Sequence, residues 1–216
     1  MDLVRAWRGV GLGVVAAVIL GAVLPSPGAS YAVTVSILMG INIILAVSLN
    51  VVNGFTGQFS LGHAGFMALG AYAGAYASRA SNDYAILGLP ESAGDTVFFV
   101  LAMLAGGAVA AAVGFLVGLP SLRLRGDYLA IVTLGFNEII RVLVENTDAV
   151  GGAAGMSNIP QRAGFTWVFG MAVLVVGLAV RLHESTHGRA FLSVREDEIA
   201  AESMGVHTTR YKVMAF

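Results

Sequence analysis

Apolar residues in this chain come in long runs separated by short polar stretches. A helix needs roughly 20 predominantly apolar residues, and no fewer than about 17, to cross the hydrocarbon core of a bilayer. The candidate runs are Gly9 to Leu24, Tyr31 to Val52, Leu61 to Ser78, Val97 to Leu119, Tyr128 to Val144 and Phe165 to Val180. Another opens at Tyr211, and the chain stops at Phe216. The pattern predicts an all-α fold, a polytopic transmembrane helix bundle of about six spans plus the start of a seventh. The first run also has the basic start of a signal peptide, but Pro25, Ser26 and Pro27 stand where Ala-x-Ala cleavage chemistry would be sought.

Composition supports the membrane reading. Charged residues make up 12% of the chain and apolar residues 57%, against about 25% and 45–50% in soluble domains. So few charges cannot cover a soluble core of this size. The net charge of −1 gives no reason to expect nucleic acid as a partner. The absence of cysteine excludes a disulfide framework, thiolate chemistry and Cys-type zinc sites.

Basic residues set the predicted orientation. With a cytoplasmic N-terminus and alternating spans, the inner segments hold Arg5, Arg8, Arg123, Arg125, Arg181, Arg189, Arg195, Arg210 and Lys212. The outer loops then hold Arg79 and Arg162. The positive-inside rule favours this arrangement, provided that the third segment crosses fully.

That third segment is preceded by Asn53-Gly-Phe-Thr-Gly-Gln-Phe-Ser-Leu-Gly-His-Ala-Gly-Phe66. Each helical Gly costs about 1 kcal/mol relative to Ala, so continuous helix is disfavoured here. Polar side chains are interleaved: Asn53, Thr56, Gln58, Ser60 and His63, with Asn50 just before. Irregular polar backbone at membrane depth persists where protein or a water-filled cavity covers it, and transporters use such breaks to present helix ends to a solute. One reading is therefore a translocation-pathway element. The other is a cytoplasmic turn followed by a Gly-rich packing helix.

Asn137 and Glu138 lie inside the apolar stretch Tyr128 to Val144. Intramembrane ionisable groups usually face the bundle interior or a cavity. Arg141 follows Glu138 at i+3, so a self-neutralised pair on one helix face is the favoured reading over a polar patch lining the pathway.

On the cytoplasmic side, Pro120 to Asp127 reads as a basic, topology-anchoring turn. In the longer segment, Ser193 and Glu196 have capping-box spacing. A helix is predicted from there through Glu198 to Met204, ending at Gly205, a good C′ residue. Ile199, Ala200 and Met204 offer it a small apolar patch suited to docking a soluble partner; the plainer reading is a solvated connector.

His183-Glu-Ser-Thr-His187 matches the two-histidine zinc motif of metalloproteases. On a helix, the imidazoles at i and i+4 share a face, and Glu184 would activate water. The motif stands just past the sixth span, Gly188 follows with a predicted helix stop, and no third ligand is evident. An intramembrane zinc protease is thus a remote alternative, and no metal site is assigned. A Walker A loop is also missing, because the only lysine is Lys212, preceded by Tyr211. Any ATP-driven process needs a separate ATPase chain.

Four ordered stretches carry a family resemblance: Asn50 to Tyr72, Leu119 to Phe136, Gly151 to Pro160 and Gly188 to Gly205. Together they resemble the branched-chain amino acid ABC transporter permeases of LivM type, from about Leu38 onward. The resemblance implies one transmembrane permease domain over residues 1–216, with a cytoplasmic coupling loop at 181–210. It implies a non-enzymatic, multi-pass subunit of a bacterial or archaeal plasma membrane. Its partners would be a second related permease, two cytoplasmic ATPases that hold ATP and Mg, an extracytoplasmic amino-acid-binding protein and the lipid bilayer. This chain itself would bind no cofactor. The solute would be Leu, Ile or Val, with urea or a short amide as the alternative.

Glu198, Ala200, Ala201, Glu202 and Gly205 fall in the segment that resembles the family's permease–ATPase coupling loop, and Ser185 to Arg189 resembles its Ser-x-x-Gly-Arg stretch. Candidate pathway residues are Asn50, Asn53, Thr56, Gln58, Ser60, His63, Asn137 and Glu138. Family members usually continue through further spans after this loop, so a fragment or truncated form is expected.

Overall fold

The structure, a computed structural model, describes residues 30–80, 91–121 and 127–216. The run Gly9 to Leu24 and the arginines of the predicted basic turn lie outside these residues. Among the described residues there are helices and no strands. Helix α1 (Ser30–Asn50) runs into a π-turn (Val51–Phe55), and α2 (His63–Ala80) follows after an irregular stretch. Next come α3 (Glu91–Ser121) and α4 (Asp127–Glu145), then two 3₁₀ turns (Asp148–Val150 and Gly152–Ala154). The chain ends with α5 (Phe165–Glu184), α6 (Thr186–Glu196), α7 (Glu198–Ser203) and α8 (Thr208–Ala215).

Among the described residues, three stretches are helical, long and apolar enough to cross a membrane: Tyr31–Phe55, Gly94–Leu119 and Phe165–Glu184. Helices α2 and α4 form where predicted but are less apolar. Small residues dilute α2, and Asn137, Glu138, Arg141 and Glu145 dilute α4. Large apolar side chains such as Leu38 and Met39 on α1, Leu104 and Leu116 on α3, and Leu178 on α5 are exposed. Lipid is the solvent that suits such surfaces, because helices satisfy their own backbone and can present apolar side chains outward.

The chain divides into two compact units, and it passes between them at Gln58/Phe59 and again at Arg162/Ala163. The first unit holds α1, the π-turn and α5 to α8. Here α1 packs on α5. Gly40 makes the approach possible, since a Cβ there would stand 2.6 Å from Val168 Cγ1.

The second unit holds α2, α3, α4 and the 3₁₀ turns. Helices α2 and α3 meet backbone to backbone. A Cβ on Gly106 would lie 2.5 Å from the Gly70 carbonyl oxygen, and one on Gly74 would lie 3.2 Å from that of Ala102. The Gly70-x-x-x-Gly74 spacing puts both glycines on one face, the small-residue packing used by membrane helices. Helix α2 also packs on α4: a Cβ on Gly65 would stand 2.9 Å from Asn137 Oδ1 and 3.0 Å from Ile140 Cδ1.

Two sequence expectations about α6 and α7 fail. Ser193 caps nothing: its hydroxyl donates backward to the Ala190 carbonyl at 2.9 Å, within α6. The cap of α7 is Asp197, whose Oδ1 accepts from Ile199 N at 2.9 Å and Ala200 N at 3.0 Å. Both residues can fill the role chemically, but the apolar face of α6, with Phe191 and Val194 buried, holds Ser193 in helix. Gly188 also does not stop a helix. It lies in the first turn of α6, where its amide donates to the capping Ser185 Oγ at 3.0 Å. A side chain at Gly188 would collide with the Leu182 and His183 carbonyl oxygens, so the sharp α5–α6 turn requires glycine here.

Candidate functional site

Six of the eight candidate pathway residues lie on or beside the break between α1 and α2, and each side of the break closes within its own unit. On the first side, the Val52 carbonyl accepts the Thr56 hydroxyl at 2.7 Å and the Gln58 amide at 3.3 Å. Gln58 Nε2 in turn donates to Thr56 Oγ1 at 3.0 Å. Thr56 and Gln58 are both buried, and Gln58 Oε1 has no hydrogen-bond partner among the described residues. A buried carbonyl oxygen left unmatched costs about 1–3 kcal/mol. Gly57 turns the chain at φ +66°, which L side chains rarely adopt. Asn50 is exposed, and a Cβ at Gly54 would strike its side-chain oxygen.

On the second side, the Leu61 amide donates to Thr133 Oγ1 at 3.0 Å, and that hydroxyl donates to the Ala130 carbonyl at 3.1 Å. Thr133 is fully buried. Its role escaped the sequence reading because one hydroxyl among apolar neighbours gives no sign of a partner 72 residues away. Ser60 is buried, and its hydroxyl accepts the Gly62 amide at 3.4 Å. His63 opens α2 and is half-buried.

The two candidates on α4 part company. Asn137 is half-buried against Gly65, whereas Glu138 is exposed. Arg141 Nε donates to both Glu138 oxygens at 3.2 and 3.1 Å, and its Nη1 reaches Glu145 Oε1 at 3.0 Å. Glu138 thus sits in a local ion-pair group on an exposed face.

The residues of the predicted coupling loop form a second constellation. Helix α7 begins at its Asp197 cap and ends in a Schellman motif. The Gly205 amide donates to the Glu202 carbonyl at 3.0 Å, the Val206 amide donates to that of Ala201 at 3.0 Å, and Gly205 has φ +83°. Ala201 is buried, while Ile199 and Met204 are exposed, the latter at 83%. Glu198 pairs with Lys212 Nζ of α8 at 2.7 Å, and the lysine side chain is only 9% exposed. Tyr211, beside Lys212, packs edge-on against Phe191 of α6.

The two histidines of the zinc-like motif do not share a helix. Helix α5 ends at Glu184, Ser185 is extended at ψ 171°, and His187 belongs to α6. His183 faces the Phe55 ring at 5.0 Å, and His187 faces Tyr211 at 5.9 Å. The i, i+4 geometry that would give the motif its meaning is therefore broken by the Ser185 cap.

A further feature escaped the sequence reading. After the Gly-rich turns, Arg162 Nε donates to Asp95 Oδ1 at 3.0 Å, and its Nη1 donates to Ser78 Oγ at 3.1 Å. Gly151, Gly152, Gly155 and Asn158 of this loop all have positive φ.

Apolar helices of spanning length, a Gly-rich interrupted helix and a separately capped helical hairpin are the build of an integral membrane protein of the permease class. The chain belongs to the family described as the branched-chain amino acid transport system permease component, whose model matches residues 31–216. It is 40% identical to the high-affinity branched-chain amino acid transport system permease protein LivM of Salmonella typhimurium, over 82% of this chain and 46% of that protein. Its identity to the Escherichia coli protein of the same name is 37%, over 95% of this chain and 53% of the relative. A probable branched-chain amino acid transport permease protein LivM of Methanocaldococcus jannaschii is 32% identical over half of this chain. The chain spans about half the length of the first two relatives. No solved structure matches.

Proposed function

We infer that the chain contributes part of the transmembrane pathway of an ABC importer for Leu, Ile or Val in the plasma membrane, with its N-terminus in the cytoplasm. The chain carries no catalytic role of its own, and ATP and Mg are bound by two partner ATPases. An extracytoplasmic binding protein delivers the solute, and a second related permease completes the pathway. Asn50, Asn53, Thr56, Gln58, Ser60, His63 and Asn137 mark the pathway side. Glu138 contributes through its ion pair with Arg141.

The observation that carries this reading is the short helix α7. It is capped at both ends and displays Ile199 and Met204 outward, the form required of a helix that seats in a groove of an ATPase. Family membership and the names of the relatives support the solute class.

The test is reconstitution of the full transporter in proteoliposomes, with uptake of labelled Leu, Ile and Val compared with urea. ATP-dependent uptake of the amino acids is expected. Ile199→Asp and Met204→Asp should each release the ATPases on purification. Retention of fully coupled ATPases by the double variant would refute the role of α7, and selective urea uptake would refute the solute class.

A further inference from the structure

The π-turn and the end of α6 are joined by one side chain within the same unit. Arg195 Nη1 donates to the Gly54 carbonyl at 3.1 Å. The aliphatic stem of Arg195 lies across Gly57, where a Cβ would stand 2.6 Å from Arg195 Cγ and 3.3 Å from its Cβ. Phe55, between these glycines, meets the His183 ring at 5.0 Å. Thus Gly54, Phe55 and Gly57 are each touched from the segment that begins at the end of α5 and runs to the end of α6. Glu196 holds the guanidinium in place: Nε and Nη2 both donate to its Oε1, at 3.2 and 2.7 Å.

The chemistry of this contact is specific. In a π-turn the backbone carbonyls depart from the ordinary i→i−4 ladder, and such turns often occur at functional positions. A guanidinium has several donors in a fixed plane, so one edge can hold a carboxylate while another reaches a carbonyl. Arg195 is also two residues from Asp197, which ends α6 and caps α7. Displacement of α7 is therefore delivered to Arg195 through a single capped corner, with little free backbone to absorb it. Lys212 pairs with Glu198 from α8 and holds the other side of that corner.

We propose that Arg195 is a positioning residue that transmits displacement of α7 to the π-turn Val51–Phe55 and so to the broken segment, a role that rests on the coupling reading of α7. Gly57 keeps the seat clear for it, and Glu196 fixes its angle.

Two measurements test this. The first needs no partner: hydrogen exchange of the amides at 51–58 in the detergent-solubilised protein. Arg195→Gln should speed exchange there at least tenfold and leave residues 165–184 unchanged. The second uses the reconstituted full transporter and counts solute imported per ATP hydrolysed. Arg195→Gln should lower that ratio at least fivefold while the ATPases still co-purify. Arg195→Lys, which keeps a donor, should recover more than half of it. Unchanged exchange at 51–58, an unchanged ratio, or loss of ATPase binding in Arg195→Gln would each overturn the proposal. Should Arg195→Gln fail to fold, Arg195→Lys with exchange at 51–58 identical to the unaltered protein supports it, and a tenfold acceleration overturns it. Failure of the coupling reading looks different: Ile199→Asp with Met204→Asp would keep coupled ATPases, whereas the exchange result would stand by itself.

Discussion

Two of the helix interruptions among the described residues are built differently. Between α5 and α6 the break is one residue long. Ser185 leaves helical geometry, its hydroxyl accepts from Gly188 N, and the next helix starts at once. Between the π-turn and α2 the chain runs irregularly over residues 56–62. There, glycines release the helix but supply no side-chain partners, so Thr56, Gln58, Ser60 and Thr133 must take up the freed backbone groups. A capped break satisfies its own first turn and needs one close approach. A glycine break depends on partners from elsewhere, which makes it easier to deform than a capped one.

This contrast can be attacked at its strongest point first. Gly188→Val places a side chain against the Leu182 and His183 carbonyl oxygens. It should cost about 3 kcal/mol or more by overpacking, read as loss of folded, monodisperse protein in detergent. If the variant is as stable as the parent, the one-residue break does not depend on close approach. Thr133→Val keeps the shape but removes the acceptor for the Leu61 amide. It should cost about 1–2 kcal/mol, seen as faster hydrogen exchange confined to residues 59–65. Uniform acceleration across α4 would instead show that Thr133 serves the helix and not the break. The smallest effect separates two caps: Asp197→Ala should destabilise α7 by about 1 kcal/mol, while Ser193→Ala should be near neutral. Equal effects would restore the Ser-x-x-Glu reading.

The helical class and the helix positions were legible because apolar runs and polar gaps are local properties. The Glu138–Arg141 pair was legible for the same reason, since i+3 spacing fixes proximity on one helix. The glycine break was legible as a break, yet its two possible meanings were not separable, because Thr133 and Arg195 approach it across long sequence separations. Ser193 was misread as a cap because the spacing rule ignores burial. Phe191 and Val194 are buried on the same helix, and that packing outweighs a cap worth about 1 kcal/mol. Gly188 misled in the opposite way: its small size serves a close approach at a helix start, while its usual local meaning is a stop.

The buried Lys212 gives this protein a built-in chemical reporter. It is the only side-chain amine in the sequence, and its Nζ is engaged by Glu198 with little of the side chain exposed. Acylation requires a free, unprotonated amine. Amine-reactive reagents should therefore modify this side chain only in proportion to the time that α7 and α8 spend apart. The rate of that single reaction, followed by mass spectrometry, would time the opening of the α7–α8 corner without any engineered label.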